Sequence, residues 1–311
     1  MKADVLVAEI GSTTTLINAF CGIRSGEPKF IGQGQAPTSV LEGDVRIGLN
    51  GAIEDLKANL GADKIEYGEM LATSSAAGGL RMCVHGLVYD MTVKAAEAAA
   101  LGAGAIVTMA TAGKLSEYDI EDLKEAKPNL ILLAGGTDYG EKETALFNAR
   151  MIAASGVKAP VIYAGNVQNK RAVEDIFQKA GISCTVTENV YPKLDKLNIE
   201  PARKIIHQVF EEHIIKAPGM EHIRDMVTGH IMPTPGAVME AVQLAYNEIG
   251  DVVAVDIGGA TTDVHSVTGG SEEIGILLTT PEPFAKRTVE GDLGLYVNAK
   301  NLVERIGADA L

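Results

Sequence analysis

VAVDIGGATTDVHSV, from Val253 to Val267, sets an aspartate and two glycines between two strand-like stretches. The layout has an echo near the N-terminus: VLVAEIGSTTTLINAF, from Val5 to Phe20. Glu9 stands where Asp256 stands, Gly11 where Gly258 stands, and Thr13-Thr14 match Ala260-Thr261. The spacing is 247 residues (256 − 9). Each stretch predicts strand, turn, strand. One Asp-x-Gly turn is ordinary hairpin chemistry; two copies, each opening an alternating α/β stretch, call for a further reason. Such a turn can aim several backbone N–H groups into a concavity that binds phosphate oxygens. Glycine serves where the backbone approaches the anion closely or takes φ > 0. The hydroxyls of Ser12, Thr13, Thr14, Thr261 and Thr262 add donors. The candidate phosphate contacts are therefore Gly11, Ser12, Thr13, Thr14, Gly258, Gly259, Ala260, Thr261 and Thr262. A carboxylate at each strand end would repel phosphate unless a cation lies between, and Mg²⁺ is commonly held by one or two carboxylates plus phosphate oxygens. Glu9 and Asp256 are thus the candidate metal partners, directly or through water. Asp256 is also the candidate catalytic residue, able to orient an attacking water.

Composition narrows the classes. The 311 residues carry 27 Lys+Arg against 41 Asp+Glu, a net charge of −14. Nucleic acid or an anionic membrane needs a basic face, so neither partner is expected; a small phosphorylated ligand held by a glycine turn is compatible. Cys21, Cys83 and Cys184 form no CxxC pair and read as reduced thiols. Lys2 and Asp4 lead straight into a strand, with no signal peptide. No apolar run reaches the ~18 residues of a membrane helix. A cytoplasmic protein is expected.

Along the chain, strands are expected at 4–9, 13–21, 30–36, 69–75, 80–87 and 105–111. Helices are expected over 44–60 and over 92–101, the second capped by Thr92. Ser74 to Gly79 is a small-residue turn. From 119 to 187 strand and helix alternate through short loops, which predicts a parallel sheet covered on both faces. Thr137 or Asp138 is the expected cap of a helix over 141–155. Helices over 201–215, 236–249 and 294–306 complete the pattern. The expected fold class is α/β. The expected domains are a first half over 1–111, an α/β segment over 112–198 (inserted or completing the first half), a helical connection over 199–250, and a second half beginning at 251.

The paired turns resemble the phosphate-1 and phosphate-2 loops of the actin, sugar kinase and Hsp70 superfamily. Asp256-Ile-Gly-Gly-Ala-Thr-Thr-Asp263 is similar to the second loop and Glu9-Ile-Gly-Ser-Thr-Thr14 to the first, with Glu in place of the usual Asp. The resemblance implies two RNase H-like halves with ATP and Mg²⁺ in the cleft between them. LATSSAAGGLRM at 71–82, NLILLAGGTDYGEKETALFNARMIAAS at 129–155 and VIYAGNVQNK at 161–170 carry a narrower likeness. With the 253–267 stretch, they resemble the accessory protein of the adenosylcobalamin-dependent glutamate mutase, the MutL or GlmL type. That likeness implies a chaperone-like ATPase that reactivates a B12-dependent mutase, glutamate mutase or a related aminomutase. Two rivals stay open: a small-molecule kinase of the same superfamily, and a non-catalytic nucleotide-binding module.

Two features depart from the superfamily. Its adenosine-binding Gly-Gly motif follows the second phosphate loop, whereas Gly135-Gly136 precedes it. Only 48 residues follow Asp263 (311 − 263), so the second half is expected to be incomplete. Gly135-Gly136 is either a structural strand-to-helix turn or part of an inserted domain. Asp263 either braces its turn or faces the cleft. His265 is expected to be solvated or in the core, Arg81 and Lys94 at the surface, and His207 and His213, six apart on one helix, on different faces and so not a zinc site.

Overall fold

The computed structural model describes residues 1–76, 78–278 and 280–307; Ala77, in the small-residue turn, lies outside them, as do 308–311 at the end of the expected second half. β1 (Lys2–Ile10), β2 (Thr14–Cys21) and β3 (Lys29–Pro37) form an antiparallel meander. α1 (Val45–Leu60) packs on β2 and β3 through Val45, Leu49, Ala52 and Leu56, one apolar stripe at helical spacing. Asp44 caps its start by accepting from the Arg46 amide, and Gly61 ends it in the left-handed region. Helix and strand are so close that a Cβ on Gly34 would collide with the Ala52 carbonyl and the Leu56 amide. β4 (Glu66–Ser74) pairs with the other side of β1, in parallel.

A second unit follows. β5 (Arg81–Gly86), α2 (Lys94–Gly102), β6 (Ile106–Ala112), α3 (Glu117–Ala126), β7 (Leu130–Leu133), α4 (Glu143–Ala154), β8 (Val161–Tyr163), α5 (Lys170–Lys179) and β9 (Cys184–Val186) alternate strand and helix. Their strands form an all-parallel sheet in the order β6-β5-β7-β8-β9. Leu-Ile-Leu-Leu of β7 is buried throughout, as a strand covered on both faces must be. One face packs on α3, α4 and α5 through Leu123, Ala149, Ile152, Val173 and Phe177. The other shares a core with α2, α6 (Glu200–Ile214) and the first sheet. The parallel sheet thus begins at Arg81: β5 and β6, expected in the first half, bond into it, and the expected boundary at 112 falls inside the unit.

β10 (Ile231–Pro233) then returns to β4, completing the order β10-β4-β1-β2-β3. α7 (Thr234–Ile249) leads into β11 (Val252–Ile257) and β12 (Thr262–Val267); after a single turn, α8 (Glu272–Gly275), comes β13 (Ala285–Glu290), and α9 (Ala299–Ile306) follows. β11, β12 and β13 form a second antiparallel meander. Its register repeats the first. Val5↔Phe20, Glu9↔Leu16 and Ile10↔Thr15 in β1/β2 become Val252↔Val267, Asp256↔Asp263 and Ile257↔Thr262 in β11/β12, each shifted by 247 (252 − 5). Met239, Val242, Val267 and Ala285 are its small core.

Three local expectations change. Thr92 lies inside a π-helical turn before α2, and its hydroxyl accepts from the Leu87 and Val88 amides instead of capping the helix. The first turn of α4 is held by Glu141, which accepts from the Thr144 amide; Asp138 accepts from the Val167 amide and Asn189. The last helix begins at Ala299, and residues 295–298 before it bond to the second turn. Among the described residues, no helix is long and apolar enough to cross a membrane.

Candidate functional site

Both turns close with the same bond: the Gly11 amide donates to the Thr14 carbonyl, and the Gly258 amide to the Thr261 carbonyl, each at 2.9 Å. Both turns are also gripped from behind by their carbonyl oxygens. In the first, the Thr38 hydroxyl donates to the Gly11 carbonyl and the Thr38 amide to the Thr13 carbonyl. In the second, the Leu295 amide donates to the Gly258 carbonyl, the Tyr296 and Val297 amides to the Gly259 carbonyl, and Asn298 Nδ2 to the Ala260 carbonyl. In a planar trans peptide the carbonyl of one residue and the N–H of the next point in opposite directions. The amides of Ser12 and Thr14, and those of Gly259, Ala260 and Thr261, therefore point away from these braces.

The turns meet across one cleft of about 560 Å³, within the range of small-molecule sites. A Cβ on Gly259 would stand 2.8 Å from Thr13 Oγ1, so the turns touch at its floor. Glu9, Gly11, Ser12, Thr13, Thr14, Asp256, Gly258, Gly259, Ala260 and Thr261 all line it. Thr262 does not: strand alternation puts it on the other face, where its hydroxyl donates to the Leu293 carbonyl at 2.8 Å. Neither Gly11 nor Gly258 has a positive φ. The constraint on a side chain is space: a Cβ would fall 2.9 Å from the Thr14 carbonyl oxygen at Gly11, too close without a shift, and 3.2 Å from that of Thr261 at Gly258, a tight contact.

A family model described as MutL protein matches residues 5–311. The chain belongs to the MutL family. Protein MutL of Clostridium tetanomorphum is 46% identical over 281 residues, covering 88% of this chain and 61% of its own length. This MutL-family chain therefore spans less than two thirds of that relative. Among solved structures, a nucleotide-free acetone carboxylase, described for ATP-dependent acetone carboxylation, aligns over 93% of this chain and 48% of its own. That likeness has 19% identity and a TM-score of 0.38. An S. aureus homoserine dehydrogenase aligns over 73% and 75%, at 10% identity and a TM-score of 0.23.

The electrostatics of the MutL-family cleft centre on its carboxylates. Burial raises the Glu9 carboxyl above the usual range, and the Asp256 charge raises it further. Asp256 is raised by burial and by Asp263, and lowered by Arg287. Glu9 and Asp256 are thus two half-buried acids on one cleft, and the Asp256 charge opposes ionisation of Glu9. No group of three or more metal-binding side chains occurs among the described residues. Two carboxylates would leave most ligands of a divalent cation to come from outside the protein, from water or from a bound ligand.

Four polar side chains on the cleft, those of Ser74, Ser75, Thr234 and Arg287, escaped the sequence reading as site residues. Ser74 ends β4 on the cleft, Ser75 follows it there, and Thr234 opens α7. Proline within the first turn of a helix was the available signal for the α7 start. Arg287 lies on β13, a strand that was not foreseen. Asp263 takes both of its open roles: it lines the cleft, and it braces its turn by accepting from the Thr261 hydroxyl; it also pairs with Arg287. His265 is wholly buried, its ring nitrogens without a hydrogen-bond partner. Gly135 and Gly136 lie in the turn from β7 to α4, away from the cleft lining; a Cβ on Gly136 would meet the Glu141 carbonyl oxygen at 2.7 Å. Arg81 and Lys94 are exposed, as expected; Arg81 donates to the Lys127 carbonyl and Lys94 pairs with Asp90.

Proposed function

We propose that the cleft binds Mg²⁺-ATP between its two turns and hydrolyses it. The protein would serve as an accessory factor that reactivates or maintains an adenosylcobalamin-dependent mutase of the glutamate mutase kind. The observation that carries the nucleotide reading is the duplicated hairpin. Six strand pairs recur with one constant offset, and the two turns face each other with their carbonyls braced outward. A single hairpin turn needs no such partner. Two opposed sets of amides and hydroxyls, with a carboxylate at each strand end, match a chain of phosphates carrying a divalent cation. The same duplication supports an actin-like arrangement of two halves around the ligand.

Glu9 and Asp256 would hold Mg²⁺, which supplies charge neutralisation on the phosphates. The turn amides fix the phosphate oxygens, the Ser12, Thr13 and Thr261 hydroxyls add donors, and Asp256 is placed to orient water. Membership in the MutL family supports the accessory role, and the resemblance to the glutamate mutase accessory protein names the client class. The nucleotide reading is tested by calorimetric titration of ATP with and without Mg²⁺. The client reading is tested by affinity capture from the native host: recovery of a B12-dependent mutase supports it, and reproducible absence of any such mutase overturns it.

A further inference from the structure

Arg287 is almost fully buried and bonded in two directions. Its Nε donates to Asp263 Oδ1 at 2.8 Å, and Nη2 lies 2.7 Å from the same oxygen. Nη1 donates to the Leu101 carbonyl at 3.1 Å and to the Ala105 carbonyl at 3.5 Å. Those carbonyls belong to the last turn of α2 and the residues just after it, in the parallel-sheet unit. The other oxygen of Asp263 accepts from the Thr261 hydroxyl, which belongs to the second turn. An unbroken chain of polar contacts thus runs from that turn through Asp263 and Arg287 to the end of α2. Arg287 also forms wall on two sides. It lines the cleft, and it lines a separate hollow of about 200 Å³ between α2 and residues 281–288. The end of a helix is a favourable seat for a cation, and a planar guanidinium can hold a carboxylate and carbonyls at once, which a lysine ammonium on its single point cannot match.

We propose that Arg287 is the positioning residue that couples occupation of the cleft to the C-terminal end of α2. The inference rests on the reading that the cleft binds a nucleotide. When phosphate draws the Thr261 hydroxyl and the turn amides, Asp263 loses or reorients its second contact. Arg287 carries that change to Leu101 and Ala105. The ligand shifts α2 only by as much as it prefers one arrangement of this chain over the other. The nucleotide state would then be legible on the surface of the parallel-sheet unit, away from the cleft.

The test is amide hydrogen exchange resolved by peptide, on the wild type, Arg287→Met and Arg287→Lys, without ligand and with saturating Mg²⁺-ATP. Without ligand, both variants are expected to exchange several-fold faster over 99–105, where the amides of Ala103, Gly104 and Ala105 close the helix end. With nucleotide, wild-type exchange over 99–105 changes along with that of the two turns. In Arg287→Lys, which keeps the charge beside Asp263, the turns respond and 99–105 does not. Equal ligand-free exchange in all three proteins overturns the proposal, as does a response over 99–105 that survives in Arg287→Lys. Unprotected turns in the wild type would sink the nucleotide reading instead. The ligand-free arm still decides whether Arg287 holds the helix end.

Discussion

At Asp256, burial and the Asp263 charge oppose ionisation while Arg287 favours it. A bound cation would add to the favourable side, and an amide in place of the carboxylate could not answer it. Asp256→Asn is therefore expected to lower Mg²⁺-dependent ATP turnover about a hundredfold or more, roughly 2.8 kcal/mol at 1.4 kcal/mol per decade. Its urea midpoint should not fall below that of the wild type, because a carboxyl whose ionisation the fold opposes is removed; turnover within a few-fold of wild type would remove Asp256 from the mechanism. The glycines make a finer test. Valine at Gly11 forces a Cβ against the Thr14 carbonyl at 2.9 Å, whereas at Gly258 the corresponding gap is 3.2 Å. Both substitutions are expected to weaken nucleotide binding in calorimetry, Gly11→Val more; unchanged affinity in a folded protein would make the turns purely structural. That Asp256 and the glycines share one cleft was legible because their types are chemically particular and the pattern occurs twice. Thr262 was misread because a run of threonines does not say which faces the cleft. That follows from the hairpin register, in which Asp256 pairs with Asp263 and Thr262 falls on the opposite side.

Among the elements, β3 and α1 are the closest-packed pair beside the first turn. A Cβ on Gly34 strikes α1 backbone, which cannot swing aside as a side chain can. Gly34→Ala should cost about 1–3 kcal/mol or more through overpacking, read as a lower urea midpoint; an unchanged midpoint would mean that α1 can shift freely. β5 carries a pH-sensitive group. His85 is wholly buried, donating to or accepting from Thr111 through Nδ1 only, and burial pushes its pKa down to about 4. The unfolded chain takes up this proton near pH 6.5 and the folded chain does not. The contribution is therefore intact above about pH 6.5 and is lost as pH falls toward about 4. A shift of that size corresponds to about 3 kcal/mol. Glutamine at His85 should flatten part of the stability loss between pH 7 and pH 4.5, measured by urea unfolding; an identical loss in variant and wild type would contradict this. The long elements were legible: α1, α4, α5 and α6 announce themselves by apolar spacing. β10 is three residues with a proline, too short for alternation to speak, and β13 reads as a charged loop in sequence. No strand sequence names its partner, so nothing in residues 81–112 revealed that β5 and β6 belong to the parallel sheet.

In the molecule as a whole, two hairpins of one design are brought face to face by everything folded between them. The parallel-sheet unit enters after β4 and the chain returns through β10. α7 then runs from the cleft to the second hairpin, so the intervening residues set the distance between the two turns. Paired carboxylates at the strand ends make the central claim specific: ligand affinity must come from phosphates and depend on a divalent cation. The most direct measurement is calorimetric titration of ATP into the wild type and into Glu9→Gln/Asp256→Asn, each with Mg²⁺ and with a chelator. The account predicts binding by the wild type with Mg²⁺ and a loss of at least about tenfold, ~1.4 kcal/mol, on removing either the cation or the two carboxylates. Adenosine should not replace ATP. Absence of ATP binding by the wild type, or equal affinity under all four conditions, would contradict it.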